Sequence, residues 1–125
     1  MSRQINIRSG GLTIRATLND SPTALALCEN LPFSTSANTW GDEVYFRIPV
    51  KQKLDATAKE LVNIGDLGYW PSGDAFCIFF GPTPISRGNE IRPASAVNII
   101  GRVDGDARAF KAVRDGDLIE LEAAS

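Results

Sequence analysis

Glu43, Tyr45 and Arg47 stand at alternate positions of one extended segment. They put an acid, a phenol and a guanidinium on the same strand face, because side chains in a strand alternate with a period of two. Val44, Phe46, Ile48 and Val50 must then face the opposite way, toward a core. The polar face offers charge and hydrogen bonding to a small ligand or a peptide segment lying across it. In a purely structural role, Glu43 would partly neutralise Arg47 on a solvated strand. The chain has no histidine. For the chain on its own this excludes Ser-His-Asp triads, Cys-His pairs, histidine general bases and histidine-ligated zinc. Cys28 and Cys77 sit in apolar runs without basic neighbours, so they read as small buried hydrophobes rather than thiolate nucleophiles. Asp104-Gly105-Asp106 and Asp115-Gly116-Asp117 are too short for a calcium loop of the EF-hand kind, which needs about five or more spaced oxygen donors. Gly65 and Gly68 lack the Lys-Ser/Thr of a phosphate loop. Neither a metal nor a cofactor is expected.

Aromatic residues surround the Glu43–Arg47 segment in sequence. Trp40, Tyr45, Tyr69, Trp70, Phe76 and Phe80 are many for the strands of a small barrel. Those that face outward would make an apolar pocket, with polar groups from Glu43, Arg47, Thr83, Ser86, Ser95 and Asn98. The rest would fill the interior. Asn98 lies in an apolar strand and is expected to bond a loop carbonyl as readily as a ligand. Arg87, Glu90 and Arg92 lie in a proline-rich loop, residues 82–94, long enough to act as a lid.

These residues need a scaffold, and 125 residues make one domain, residues 1–125, of ordinary size. Hydrophobic residues at 43% and charged residues at 22% fit a folded chain rather than a disordered one. A net charge of -2 argues against a nucleic-acid partner, which calls for a basic excess. The first eleven residues have no apolar core, and no apolar run approaches the roughly 20 residues that cross a bilayer. The expectation is a soluble cytoplasmic protein with no membrane partner.

Short segments punctuated by glycine and proline predict a mainly β fold. Ile5 and Ile7 alternate with polar residues, Gly10-Gly11 turns, and Leu12 to Leu18 returns as a hairpin. Asp20-Ser21-Pro22 predicts a helix start, with Leu25, Cys28 and Leu31 on its buried face. Residues 33–40 read as extended and residues 51–62 are ambiguous. Residues 65–68 read as a tight connection, and Pro71 to Asp74 as a turn. Ala75 to Gly81 shows no alternation and reads as a strand buried on both faces. Val97 to Val103 and Leu118 to Leu121 are further strands. Between them lies a short helix, residues 106–113, with Ala107, Phe110 and Val113 on one side.

The order of these elements resembles that of the cyclophilins. Tyr45-Phe46-Arg47-Ile48-Pro49 is similar to that family's Phe-His-Arg-Val-Ile-Pro segment, and Ile99-Ile100-Gly101-Arg102-Val103 to its Val-Phe-Gly-Lys-Val segment. A narrower likeness covers nearly the whole chain. Asn38 to Phe46, Gly65 to Pro71, Cys77 to Pro84 and Pro93 to Asn98 resemble the small prokaryotic cyclophilin-like proteins. The resemblance implies a closed, eight-stranded antiparallel β-barrel with two short capping helices. It brings no established activity with it.

The broader resemblance implies one candidate activity, prolyl cis-trans isomerisation, with Arg47 as the catalytic group. That reaction lowers a barrier of about 18–20 kcal/mol by weakening amide resonance, and needs no acid or base. An arginine near the proline amide would stabilise the twisted state. The family's glutamine, its histidine and its late tryptophan have no counterpart here; their places fall near Phe76, Val97 and Arg92. A repurposed cleft that binds a small molecule or a short proline-containing peptide is therefore the preferred expectation. Weak isomerase activity is the second. An assembly role, with a homo-oligomer formed through an exposed edge or aromatic patch, is the third.

Overall fold

The computed structural model describes residues 3–124. β1 (Arg3–Ser9) and β2 (Leu12–Leu18) form the expected hairpin, in register from Arg3 opposite Leu18 to Ser9 opposite Leu12. Helix α1 (Pro22–Cys28) begins where the sequence places it, with the Ser21 hydroxyl accepting from the Ala24 amide at 3.3 Å. Its buried residues are Thr23, Ala24 and Leu27. The buried face is rotated from the expected one: Leu25 is exposed, while Cys28 and Leu31 are half-buried and still pack against the core. Thr23 explains the rotation. Its hydroxyl faces inward and accepts from Asn98 Nδ2 at 3.4 Å, and a polar residue recruited to the core leaves no mark in apolar periodicity.

β3 (Phe33–Ser36) and β4 (Asn38–Thr39) are separated by Ala37 alone. β3 pairs with β10 (Leu118–Ala123), and β4 pairs with β5 (Glu43–Arg47). β7 (Asp66–Trp70), β8 (Ala75–Phe79) and β9 (Val97–Val103) complete the main path, in the order β3-β10-β1-β2-β9-β7-β8-β5-β4. Every pairing is antiparallel. The two ends of that order are consecutive in the chain, so the sheet curls into a nearly closed barrel. Among the described residues the sheet has ten strands rather than eight. Ala37 divides one bent strand into two, and β6 (Ala58–Lys59) adds a short pairing on β9.

The interior is one apolar cluster that includes Ile5, Ile7, Leu18, Val44, Phe46, Leu67, Tyr69, Phe76, Ile78 and Ile100. Phe46 and Phe76 are register partners on β5 and β8, and their rings stack with centroids 5.1 Å apart. α1 contributes Ala24 and Leu27 to this cluster. The 3-10 helix Ala107–Ala112 contributes Ala107 and Phe110, followed by Val113. A second cluster lies on the outer face, from Val62, Ala75, Cys77, Phe79, Ile91 and Val97. β8 lies between the two clusters, and that is why its sequence lacks alternation.

Residues 65–68 are not a tight connection. Gly65 turns with a φ of 91°, and β7 starts at Asp66. Gly68 is a strand residue, placed where a Cβ would stand 2.8 Å from Val97 Cγ2 and 3.1 Å from Phe79 Cε2. The glycine signals close packing of β7 against the outer cluster rather than a turn.

Candidate functional site

β5 builds the site as its alternation requires. Val44 and Phe46 are buried in the barrel, while Glu43, Tyr45 and Arg47 point outward. Along β8 the outward residues are Ala75, Cys77 and Phe79, with Tyr45 opposite Cys77 and Glu43 opposite Phe79. A pocket of about 260 Å³ lies over this pair of strands. It is lined by Trp40, Glu43, Tyr45, Trp70 and Cys77, and by Pro93, Ala94 and Val97 from the start of β9 and the loop before it.

Two connections hold its rim. Trp40 precedes the Gly41-Asp42 turn, where the Trp40 amide donates to the Glu43 carbonyl at 2.9 Å. The Asp42 amide donates to the Pro82 carbonyl at 3.0 Å, so the turn is fixed to the start of the proline loop. Gly41 has a φ of 60°, and a Cβ there would stand 2.8 Å from Pro84 Cδ. Across the pocket, the Trp70 indole N–H donates to Ser95 Oγ at 2.6 Å.

Glu43 is the charged group of the lining. It is 5% exposed, although it lies on the outward face. Burial pushes its carboxyl up to about 7, moderated by the neighbouring Cys77 thiol. Burial also raises the Cys77 thiol well above its usual range, and the neighbouring Glu43 raises it further, so it is a poor nucleophile. Cys28 and Cys77 are both free. The pocket can accept an apolar body and present one carboxyl group to a donor on it. Among the described residues no cluster of three or more His, Cys, Asp and Glu side chains could hold a metal. No helix among them is long and apolar enough to cross a membrane.

The cyclophilin-like family model matches residues 3–122. The chain belongs to the cyclophilin-like family. A hypothetical protein from Archaeoglobus fulgidus, solved in solution, is similar in structure, with a TM-score of 0.84 and 40% sequence identity. The match covers 98% of this chain and 95% of that one. No curated protein matches the chain.

On this cyclophilin-like barrel the sequence-predicted residues separate into groups. Trp40, Glu43 and Tyr45 meet in the pocket. Tyr69 and Phe76 are fully buried in the barrel interior, and Phe80 is buried with them. The Tyr69 hydroxyl donates to the Val50 carbonyl at 2.7 Å and accepts from the Gln52 amide at 3.3 Å. Thr83 and Ser86 hold the proline loop together: Ser86 Oγ accepts from the Thr83 and Arg92 amides at 2.9 and 3.0 Å, and Thr83 Oγ1 donates to the Arg92 carbonyl. Ser95 supports the pocket through Trp70. Asn98 is fully buried, accepts from the Asp55 amide at 2.8 Å and donates to the Lys53 carbonyl at 2.9 Å, pinning the segment before β6. Arg47 is exposed at the end of β5, outside the pocket lining, and forms no ion pair with Glu43.

Trp70, one of the aromatics expected to make the pocket if turned outward, lines it, and Cys77, Pro93, Ala94 and Val97 line it beyond the expected set. One signal pointed to Trp70. Leu67 and Tyr69 share the inward face of β7, so alternation puts Trp70 outward. Pro93 and Ala94 carry no such signal, because a loop has no periodicity.

Proposed function

We propose that this cyclophilin-like chain is a binding module that holds a small molecule in the pocket over β5 and β8. The observation that carries the reading is the lining itself: apolar and aromatic walls around one buried carboxyl group. A few placed polar groups in an apolar concavity are what small-ligand sites contain. The volume of about 260 Å³ exceeds the roughly 150 Å³ of an apolar cavity that takes up benzene. A single side chain of a short peptide also fits, which keeps peptides among the ligands. The protein acts in this reading as a cytoplasmic partner of a small molecule or peptide, with no nucleic acid, membrane or cofactor involved.

Weak prolyl isomerase activity is the second reading. It rests on Arg47, whose exposed position on the same strand face leaves the guanidinium open to a peptide. It ranks below binding because no basic residue lines the pocket.

A fragment screen followed by amide and indole NMR, with thermal shift in parallel, tests the binding reading. A true ligand moves the Trp40, Tyr45 and Trp70 signals, and at 100 times its dissociation constant adds roughly 2.7 kcal/mol of stability. A broad screen that leaves these signals unmoved sinks it. Exchange NMR on an Xaa-Pro peptide tests the second reading. Acceleration at micromolar protein that disappears in Arg47→Ala would replace binding with catalysis.

A further inference from the structure

Glu43 is a carboxyl group without a cationic neighbour of its own. The ion pairs among the described residues leave it out, and its neighbour in the pocket is the Cys77 thiol. Arg47, two positions along the same face, is exposed and turned to other company; its charge acts on Asp74. Arg92, in the loop above, is held by Glu90 at 2.8 Å. Asp42 in the preceding turn and Asp66 on β7 are acids, and neither lines the pocket. An acid is thus buried among apolar groups with no positive charge supplied by the protein. Burying an ionised carboxylate costs free energy unless it is paired.

The walls around it are Trp40, Tyr45 and Trp70. Aromatic rings attract cations through their negative faces, tryptophan most strongly, and the attraction grows when water is excluded. Trp70 is held before any ligand arrives. Its nitrogen is tied to Ser95, and at Gly73 a Cβ would stand 2.9 Å from its Cε3 and Cζ3 atoms.

We propose that the pocket takes a small organic cation, an alkylated ammonium group, seated on the Glu43 carboxylate between Trp40, Tyr45 and Trp70. This rests on the binding reading above and names the chemical class of its ligand. A quaternary or tertiary ammonium suits the site better than a bare one. It presents methyl groups to the rings and the walls of Pro93, Ala94 and Val97, while its charge supplies what Glu43 lacks. It is also less strongly hydrated than a primary ammonium, so entering an apolar pocket strips less water from it. Glu43 must ionise to bind such a guest. Its raised carboxyl makes binding release a proton and strengthens it as pH rises through neutrality.

The test is an NMR titration of the folded chain with choline and with its neutral isostere, dimethylbutanol. Choline is expected to shift the Trp40 and Trp70 indole signals at millimolar concentration, at least about tenfold more tightly than the isostere. Its affinity should rise by about tenfold between about pH 6 and about pH 8, following the ionised fraction of Glu43. Glu43→Gln should remove the pH dependence and most of the preference for charge, leaving the part that the aromatic faces supply. Trp40→Leu should weaken choline binding with the carboxylate left in place, so a fold defect in one variant does not decide the matter. If both compounds bind equally, the cation inference is overturned while the binding reading stands. If choline leaves the indole signals unmoved at pH 8, the inference is overturned whatever the fragment screen finds.

Discussion

The indole N–H of Trp70 donates to the Ser95 hydroxyl at 2.6 Å, joining the last residue of β7 to the segment that enters β9. One aromatic wall of the pocket is thereby fixed in advance, which lowers the ordering cost of binding. Ser95→Ala should cost about 1 kcal/mol or less in stability, since the bond lies at the surface. Ligand affinity should fall several-fold, and the Trp70 indole resonance should broaden or shift in the free protein. A variant with an unchanged indole signal and unchanged affinity would show that Trp70 is held by other contacts.

The raised Glu43 carboxyl sets a pH dependence of opposite sign to that of a salt-bridged acid. The folded state keeps its proton up to about 7, whereas the unfolded chain releases it near the ordinary 4.5. The folded state therefore binds more protons between these values, and stability falls as pH rises. This contribution is fully present below about 4.5 and lost as pH passes 7, an effect of about 3 kcal/mol. Asp74, Glu90 and Asp106 are lowered by their partners, chiefly Lys51, Arg92 and Arg108, so they act only at more acid pH. Chemical denaturation of Glu43→Gln beside the parent chain should show a flatter profile between about pH 5 and about pH 8. Parallel profiles would mean that Glu43 is ionised throughout that range.

Asn98 is a structural amide. Asn98→Ala would leave the Asp55 amide and the Lys53 carbonyl without their partner, at a cost of about 2–4 kcal/mol. Hydrogen exchange at Asp55 should accelerate. The pocket resonances of the folded variant should keep their parent positions, because Asn98 is not part of the lining. Loss of ligand binding at full folding would give Asn98 a direct role.

Gly68→Ala puts a methyl group within 2.8 Å of Val97 Cγ2, a residue of the pocket wall. Overpacking of this kind costs about 1–3 kcal/mol. The displaced Val97 should also narrow the pocket and select smaller ligands. A melting temperature within error of the parent would show that the outer cluster yields without strain.

Where the chain alternates, its faces were legible. Val44 and Phe46 turn inward and Glu43, Tyr45 and Arg47 outward, as the period of two requires. The featureless run at β8 likewise announced burial on both sides. The same run concealed which way its side chains pointed. Phe76 and Phe80 go to the barrel, and Cys77 and Phe79 go to the outer cluster. Nothing in a continuous apolar stretch marks that parity.

Glu43 and Arg47 show where local pattern ends. They share a face of one strand, and nothing nearby in sequence distinguishes their surroundings. Glu43 is 5% exposed and shares its pocket with Trp40, Trp70, Pro93 and Ala94, while Arg47 remains open to water. Local pattern along the chain was enough for the β1–β2 hairpin, the strands β5, β8, β9 and β10, the helix cap and the outward direction of the acid, but not for β6 or the start of β7. That this acid lines an aromatic pocket was left to tertiary structure. Trp70, Cys77, Pro93, Ala94 and Val97 come from distant parts of the chain, brought beside β5 by β7, β8 and β9, and such contacts leave no local signature.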